Sequence, residues 1–155
     1  MSNADQLEIF GWIALALALG SLIGIEREFR GHEAGIRTNG LVCAASATFG
    51  LISFRLTSDD RIAAGVVQGV GFLGAGLIFH NRRSVLGATT AATVWLVAAV
   101  GLLVGAELWL TALLVTGLVL GLLELLPISD WVYRKGLEHT ANHVRRALPP
   151  DQRDA

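Results

Sequence analysis

The stretch Gly65-Val-Val-Gln-Gly-Val-Gly-Phe-Leu-Gly-Ala-Gly-Leu-Ile-Phe79 is apolar except for Gln68 and carries five glycines. At about 100° per residue, Val66, Val70, Leu73 and Leu77 fall on one stripe of a helix, and Ala64, Gln68, Gly71 and Ala75 fall on the opposite one. In water each glycine would cost a helix roughly 1 kcal/mol relative to alanine. In a bilayer the backbone must satisfy its own hydrogen bonds, so the helix is retained. Small residues then let neighbouring helices approach closely. The expectation is a spanning helix at the centre of a bundle, its bulky stripe toward lipid and its small residues toward protein.

The rest of the sequence agrees with a membrane protein. Of 155 residues, 53% are hydrophobic and 16% charged, and the charges fall between long apolar runs, as in a polytopic chain. A net charge of -1 gives no reason to expect nucleic acid. The single cysteine, Cys43, excludes an intramolecular disulfide. No Lys or Arg precedes the first apolar run and no small-residue cleavage site follows it, so that run is expected to be a retained helix and not a signal peptide.

Five runs are long enough to consider as spans: 9–25, 40–54, 65–79, 88–104 and 108–126. The first would cover roughly 25 Å at 1.5 Å per residue, close to the lower limit for a crossing. On it, Ala14, Ala18, Gly20, Ser21 and Gly24 are expected to face protein and Leu15, Leu19 and Leu22 to face lipid. Ser58 or Asp59 is placed to cap the third helix. No alternation is long enough for a membrane barrel. The fold class is therefore all-α, a polytopic bundle of five transmembrane helices. Ten Lys and Arg fall in the first loop, third loop and tail, against two, Arg55 and Arg61, on the other side. Retained positive charge marks the cytoplasm, so the N-terminus is expected outside and the C-terminus inside. Residues 7–126 form the membrane domain. Residues 127–155 form a short cytoplasmic tail in which Leu137, Ala141, Val144 and Leu148 recur at helical spacing, as in an amphipathic surface helix.

Two apparent motifs are better explained by position. Gly69-Val-Gly-Phe-Leu-Gly74 matches the dinucleotide pattern, but it lies inside a membrane-length run without the strand and exposed helix start that the chemistry requires, so helix packing accounts for it. His139 and His143 stand four apart without a fixed third ligand, and a solvated surface explains them. No metal, cofactor or catalytic set is expected. The charges at the inner edge are more informative, because ionisable groups beside spanning helices tend to face protein or a polar path. Glu28, Arg37 and Glu124 are expected to form a functional polar cluster there, with Asn39 and Thr90 as hydrogen-bonding neighbours. Such a cluster could hold helices in register, bind a cation weakly or dock a partner. Gln68 is more readily a helix-to-helix hydrogen bond than a ligand.

Four ordered segments, Gly20-Ser-Leu-Ile-Gly-Ile-Glu-Arg-Glu28, Ala34-Gly-Ile-Arg-Thr-Asn39, Gly69-Val-Gly-Phe-Leu-Gly-Ala-Gly-Leu-Ile78 and Thr89-Thr-Ala-Ala-Thr-Val-Trp95, resemble the signature segments of the MgtC/SapB membrane-protein family. The resemblance covers about residues 7–126. It implies a multi-pass protein of the bacterial inner membrane, linked to magnesium homeostasis and adaptation to low magnesium. The resemblance further implies action on other membrane systems, including the proton-translocating ATP synthase, as in better-studied members, which also carry a soluble cytoplasmic domain that these residues do not match. The motif residues Glu26, Arg27, Gln68, Gly69, Gly71, Gly74, Gly76, Thr89 and Trp95 join the site candidates through it. The expected function is that of a regulatory or adaptor protein without catalytic activity. The alternative is a small ion or solute transporter with a polar path near Gln68 and the inner carboxylates. The expected partners are the bilayer and either another membrane protein or further copies of the chain.

Overall fold

The computed structural model describes residues 2–79 and 87–124. These residues form five helices and no strand: α1 (Asn3–Phe29), α2 (Ile36–Leu51), α3 (Arg61–Phe79), α4 (Ala88–Gly105) and α5 (Trp109–Glu124). Four are long and apolar enough to cross a membrane, and α5 is a shorter apolar helix of 16 residues. The chain is thus a membrane helix bundle. It divides into two compact units, 1–120 and 121–155. The tail helix expected at 129–148 and the third-loop arginines lie outside the described residues.

Local chemistry sets the helix limits. Ser2 and Asp5 make a reciprocal capping box: the Ser2 amide donates to Asp5 Oδ2 at 2.7 Å and the Asp5 amide to Ser2 Oγ at 3.2 Å. Helix α1 therefore begins six residues before the apolar run that marked it. Asp59, and not Ser58, holds the start of α3, accepting from the Arg61 amide at 3.0 Å. Ser58 instead takes the left-handed conformation that ends the preceding helix. Helix α2 runs on as a π-helical stretch, Ile52–Thr57. There Ser53 Oγ donates to the Asp59 carbonyl, and Thr57 Oγ1 to the Ile52 carbonyl. The first bond ties the π-helical stretch to the turn that follows it, and the second lies within it.

Helix α2 lies between α1 and α4, and glycines make both contacts. A Cβ on Gly20 would sit 2.5 Å from the Asn39 carbonyl oxygen, and one on Gly24 2.6 Å from Ile36 Cα. On the other side, Gly101 closes on the Cys43 carbonyl, while Gly105 would meet the Ala47 oxygen at 2.7 Å and Gly50 Cα at 2.8 Å. Such contact lets backbones touch, the main source of attraction between helices whose surroundings are as apolar as they are. Along α4, Val94, Val97, Val100 and Val104 are buried with Gly101 and Gly105.

Two sequence expectations are corrected here. Helix α3 is peripheral, and its stripes are reversed: Val70 is 7% exposed and packs with Ala34, Val94 and Ala98, flanked by Val66 and Leu77. Only Leu73 of the expected lipid stripe is open, at 51%. The small face is the outward one, and nothing lies within 4 Å of a Cβ on Gly65, Gly69, Gly71 or Gly76. Only Gly74 approaches a neighbour, Ala91 Cβ at 3.6 Å. On α1 the buried face is Ala16, Leu19, Gly20, Ile23, Gly24 and Arg27. Ala14 and Ala18 are exposed, so the face is turned by about 100°, one residue step, from the expected one. Both faces of these helices are apolar, so hydrophobicity could not orient them; backbone fit did.

Candidate functional site

Polar groups converge where α1 ends, α2 begins and α4 begins. Arg27 lies on the same face as Gly20 and Gly24, seven and three residues behind it, so the helix carries its side chain into the packed interior. It is fully buried, at 0%. Its Nε, Nη1 and Nη2 have no hydrogen-bond partner among the described residues. The nearest carboxylate is Glu26, whose Oε2 is 3.8 Å from Arg27 Nη1. That carboxylate, itself almost buried, is engaged more closely by Arg30, Nε to Oε1 at 2.5 Å. Burying a guanidinium without acceptors is costly, so its retention here marks the end of α1 as a functional candidate.

Asn39 faces this end from α2. Its Nδ2 donates to the carbonyls of Ala34 and Gly35 at 2.7 and 3.0 Å, which ties the α1–α2 loop onto the first turn of α2. Its Oδ1 is buried without a hydrogen-bond partner among the described residues, as is Nδ1 of His32 in the α1–α2 loop. The site therefore holds buried donors on Arg27, a buried acceptor on Asn39 and a buried imidazole nitrogen on His32. Two small cavities adjoin at His32 and Glu33. One, of about 200 Å³, is completed by Gly31, Leu77, Gly87 and Thr90. The other, of about 270 Å³, is completed by Glu28, Gly35, Arg37 and Thr38.

The expected cluster is partly assembled. Glu28 and Arg37 line one cavity and Thr90 the other, while Asn39 lines neither and is tied to the α1–α2 loop at Ala34 and Gly35. The role of Glu28 is more definite than a shared charge: its Oε2 accepts from the Ile36 amide at 2.9 Å and so takes an orphan donor at the start of α2. Gly35 is the close approach this requires, since a Cβ there would collide with the Glu28 carboxylate. Arg37 is exposed. Glu124 is exposed at the end of α5, in the second compact unit. Thr89 is exposed, its carbonyl accepting from Thr93 Oγ1 at 2.8 Å. Trp95 is half-exposed on α4. Gln68 is exposed on the outer face of α3, so within one chain it does not line an interior path. Gly69, Gly71 and Gly76 are open on that helix, and Gly74 is packed.

The family-like motif already singles out Arg27 in the sequence, and its seven-residue spacing from Gly20 puts it on the same helix face. The sequence offered no signal for a second arrangement at the opposite end of the bundle. There Arg55 reaches Glu8 Oε1 and Oε2 at 3.2 and 3.3 Å and Glu107 Oε1 at 3.4 Å. One guanidinium thus joins α1, the π-helical end of α2 and the α4–α5 turn, where Glu107 takes a positive φ of 62°. The π-helical widening resets the direction of Arg55, which periodicity alone does not reveal. Among the described residues there is no group of three or more His, Cys, Asp and Glu able to hold a metal.

Comparison with known proteins identifies the family. The model of the MgtC family matches residues 13–130. A Haemophilus influenzae protein without an assigned role is 35% identical over 147 residues, 86% of this chain and 62% of its own length. Protein MgtC of Brucella abortus is 52% identical over 99 residues, 62% of this chain and 42% of that protein. Protein MgtC of Salmonella typhimurium is 46% identical over 107 residues, 68% and 46% of the two chains. The matches thus span less than two thirds of the length of these relatives. No solved structure matches. The family model covers α1 from its third turn onward, both glycine-packed contacts and the Arg27 end of the bundle: the chain belongs to the MgtC family.

Proposed function

We propose that this chain is a regulatory or adaptor protein of the bacterial inner membrane, acting in magnesium or ion homeostasis through the polar end of the bundle around Arg27. The N-terminus is outside and the C-terminus inside on this proposal, which puts Arg27, Glu28, Asn39 and Thr90 on the cytoplasmic side. The observation that carries it is the buried Arg27 guanidinium, which has no hydrogen-bond acceptor among the described residues and only the Glu26 carboxylate at 3.8 Å. A fixed cation repels a magnesium ion at this end, and Glu26 is already engaged by Arg30. That combination favours a recognition or conformational role over a dehydrated cation path. The Gln68 path of a transporter is further disfavoured by the outward position of that side chain.

The test pairs two measurements. Arg27→Gln, which keeps donors but removes the charge, is expected to accumulate in the membrane yet fail to rescue low-magnesium growth of a deletion strain. Purified wild-type protein in liposomes is expected to pass no magnesium above the lipid background. Saturable magnesium flux, or full rescue by Arg27→Gln at normal protein level, would overturn the proposal.

A further inference from the structure

Helix α3 presents two faces of different character. The inner one, Val66, Val70 and Leu77, packs in the core. The outer one, Ala64, Gly65, Gln68, Gly71, Phe72 and Gly76, is exposed, with Phe72 at 81%. Beside it, an apolar groove of about 500 Å³ opens between α2 and α3, with Val42, Ser46 and Phe49 on one wall and Gly65, Gly69 and Leu73 on the other. Groove and face are continuous through Gly65 and Gly69.

Gln68 discriminates among occupants. It lies seven residues into α3, about 10 Å from the helix start and so within the hydrocarbon layer. No hydrogen bond engages its amide among the described residues. Acyl chains offer that amide neither donor nor acceptor, whereas another polypeptide can. The same chain shows what its glycine pairs do when covered: Gly20 with Gly24, and Gly101 with Gly105, each seat a neighbouring backbone. Gly65 with Gly69 has the same spacing, and among the described residues nothing lies within 4 Å of a Cβ on either.

We propose that the outer face of α3 is the contact between two copies of this chain, packed α3 to α3 about a two-fold axis along the membrane normal. The ten-to-two partition of Lys and Arg inserts every copy in one sense. Two copies related by that axis place Gln68 at the same depth in both. An amide carries a donor and an acceptor, so it is complementary to its own copy, which makes a second chain the partner that fits without further design. The small residues around Gln68 admit the close approach, and Phe72 borders the contact. This interface is separate from the Arg27 end, and either proposal can fail without the other.

The experiment uses the full chain in a Cys43→Ser background in native membranes. Single cysteines replacing Gln68 or Gly71 are expected to form a disulfide-linked dimer under mild oxidation, and one replacing the exposed Leu41 of α2 is not. In liposomes at varied protein-to-lipid ratio, energy transfer between labelled copies is expected to show dimerisation weakened about tenfold by Gln68→Leu and by Gly71→Leu. Their unfolding in detergent should match the parent, because none of the described residues comes within 4 Å of a Cβ at Gly71. Cross-linking as strong at position 41 as at 71, cross-linking only to a different protein, or dimerisation unchanged in both leucine variants would overturn the proposal.

Discussion

Gly101→Ala should loosen the bundle at its tightest seam, and the size of the effect follows from what the added methyl would meet. It would run into the Cys43 carbonyl oxygen, with Ser46 Cβ at 2.7 Å and the Ala47 nitrogen at 3.1 Å. Carbon atoms rest at about 3.5–4.0 Å, so α4 must move away from α2 by several tenths of an ångström to about 1 Å. Two of the three opposing atoms are backbone and cannot turn aside. A gap of that size forfeits a quarter to a half of each dispersion contact along the seam, where Val94, Val97, Val100 and Val104 are fully or almost fully buried. Overpacking of this kind costs about 1–3 kcal/mol, while alanine returns at most about 1 kcal/mol in helix preference. The expected net loss is about 1–2 kcal/mol. Gly65→Ala and Gly117→Ala add the same methyl to open positions and should be neutral or slightly stabilising. Unfolding of purified protein in mixed detergent and dodecyl sulfate micelles, followed by tryptophan fluorescence, measures all three. Unfolding of Gly101→Ala at the parent's sulfate fraction, with Gly65→Ala displaced to a lower one, would refute glycine-mediated packing of α2 against α4.

Glu28→Ala should destabilise by about 1 kcal/mol through loss of the acceptor for the Ile36 amide, and Glu28→Gln by clearly less because it keeps a carbonyl; the same micelle titration compares them. Arg55→Gln should lower stability in dilute salt and match the parent in molar salt, since its contacts to Glu8 and Glu107 are solvent-exposed ion pairs. A salt-independent loss would mean that packing, not charge, explains the change. Asn39→Asp should be tolerated less than Asn39→Ser, because the carboxylate replaces the amide that donates to Ala34 and Gly35 by acceptors only; yields of folded protein rank them. An Asn3→Cys variant in a Cys43→Ser background should react with an impermeant maleimide from outside whole cells, and reaction only after the inner face is opened would reverse the proposed topology.

Sequence alone was enough for the class and the helices. Apolar runs between charged turns leave no other backbone solution in a bilayer, and the five observed helices begin and end within a few residues of those runs except where the Ser2 capping box lengthens α1. It also supplied the family, because four ordered segments carry far more information than any single glycine pattern. What it could not supply was direction around each helix axis. In water, burial selects the apolar face; in lipid both faces of α3 are acceptable to their surroundings, and its bulky stripe turned inward because α2 and α4 already meet through Gly101 and Gly105. The same indeterminacy concealed the burial of Arg27, which depends on which face of α1 meets α2, and the direction of Arg55, which depends on a π-helical turn. Charge counting located polar residues at the ends of the helices; only the packing of three backbones decided which guanidinium would be enclosed and which would span two carboxylates.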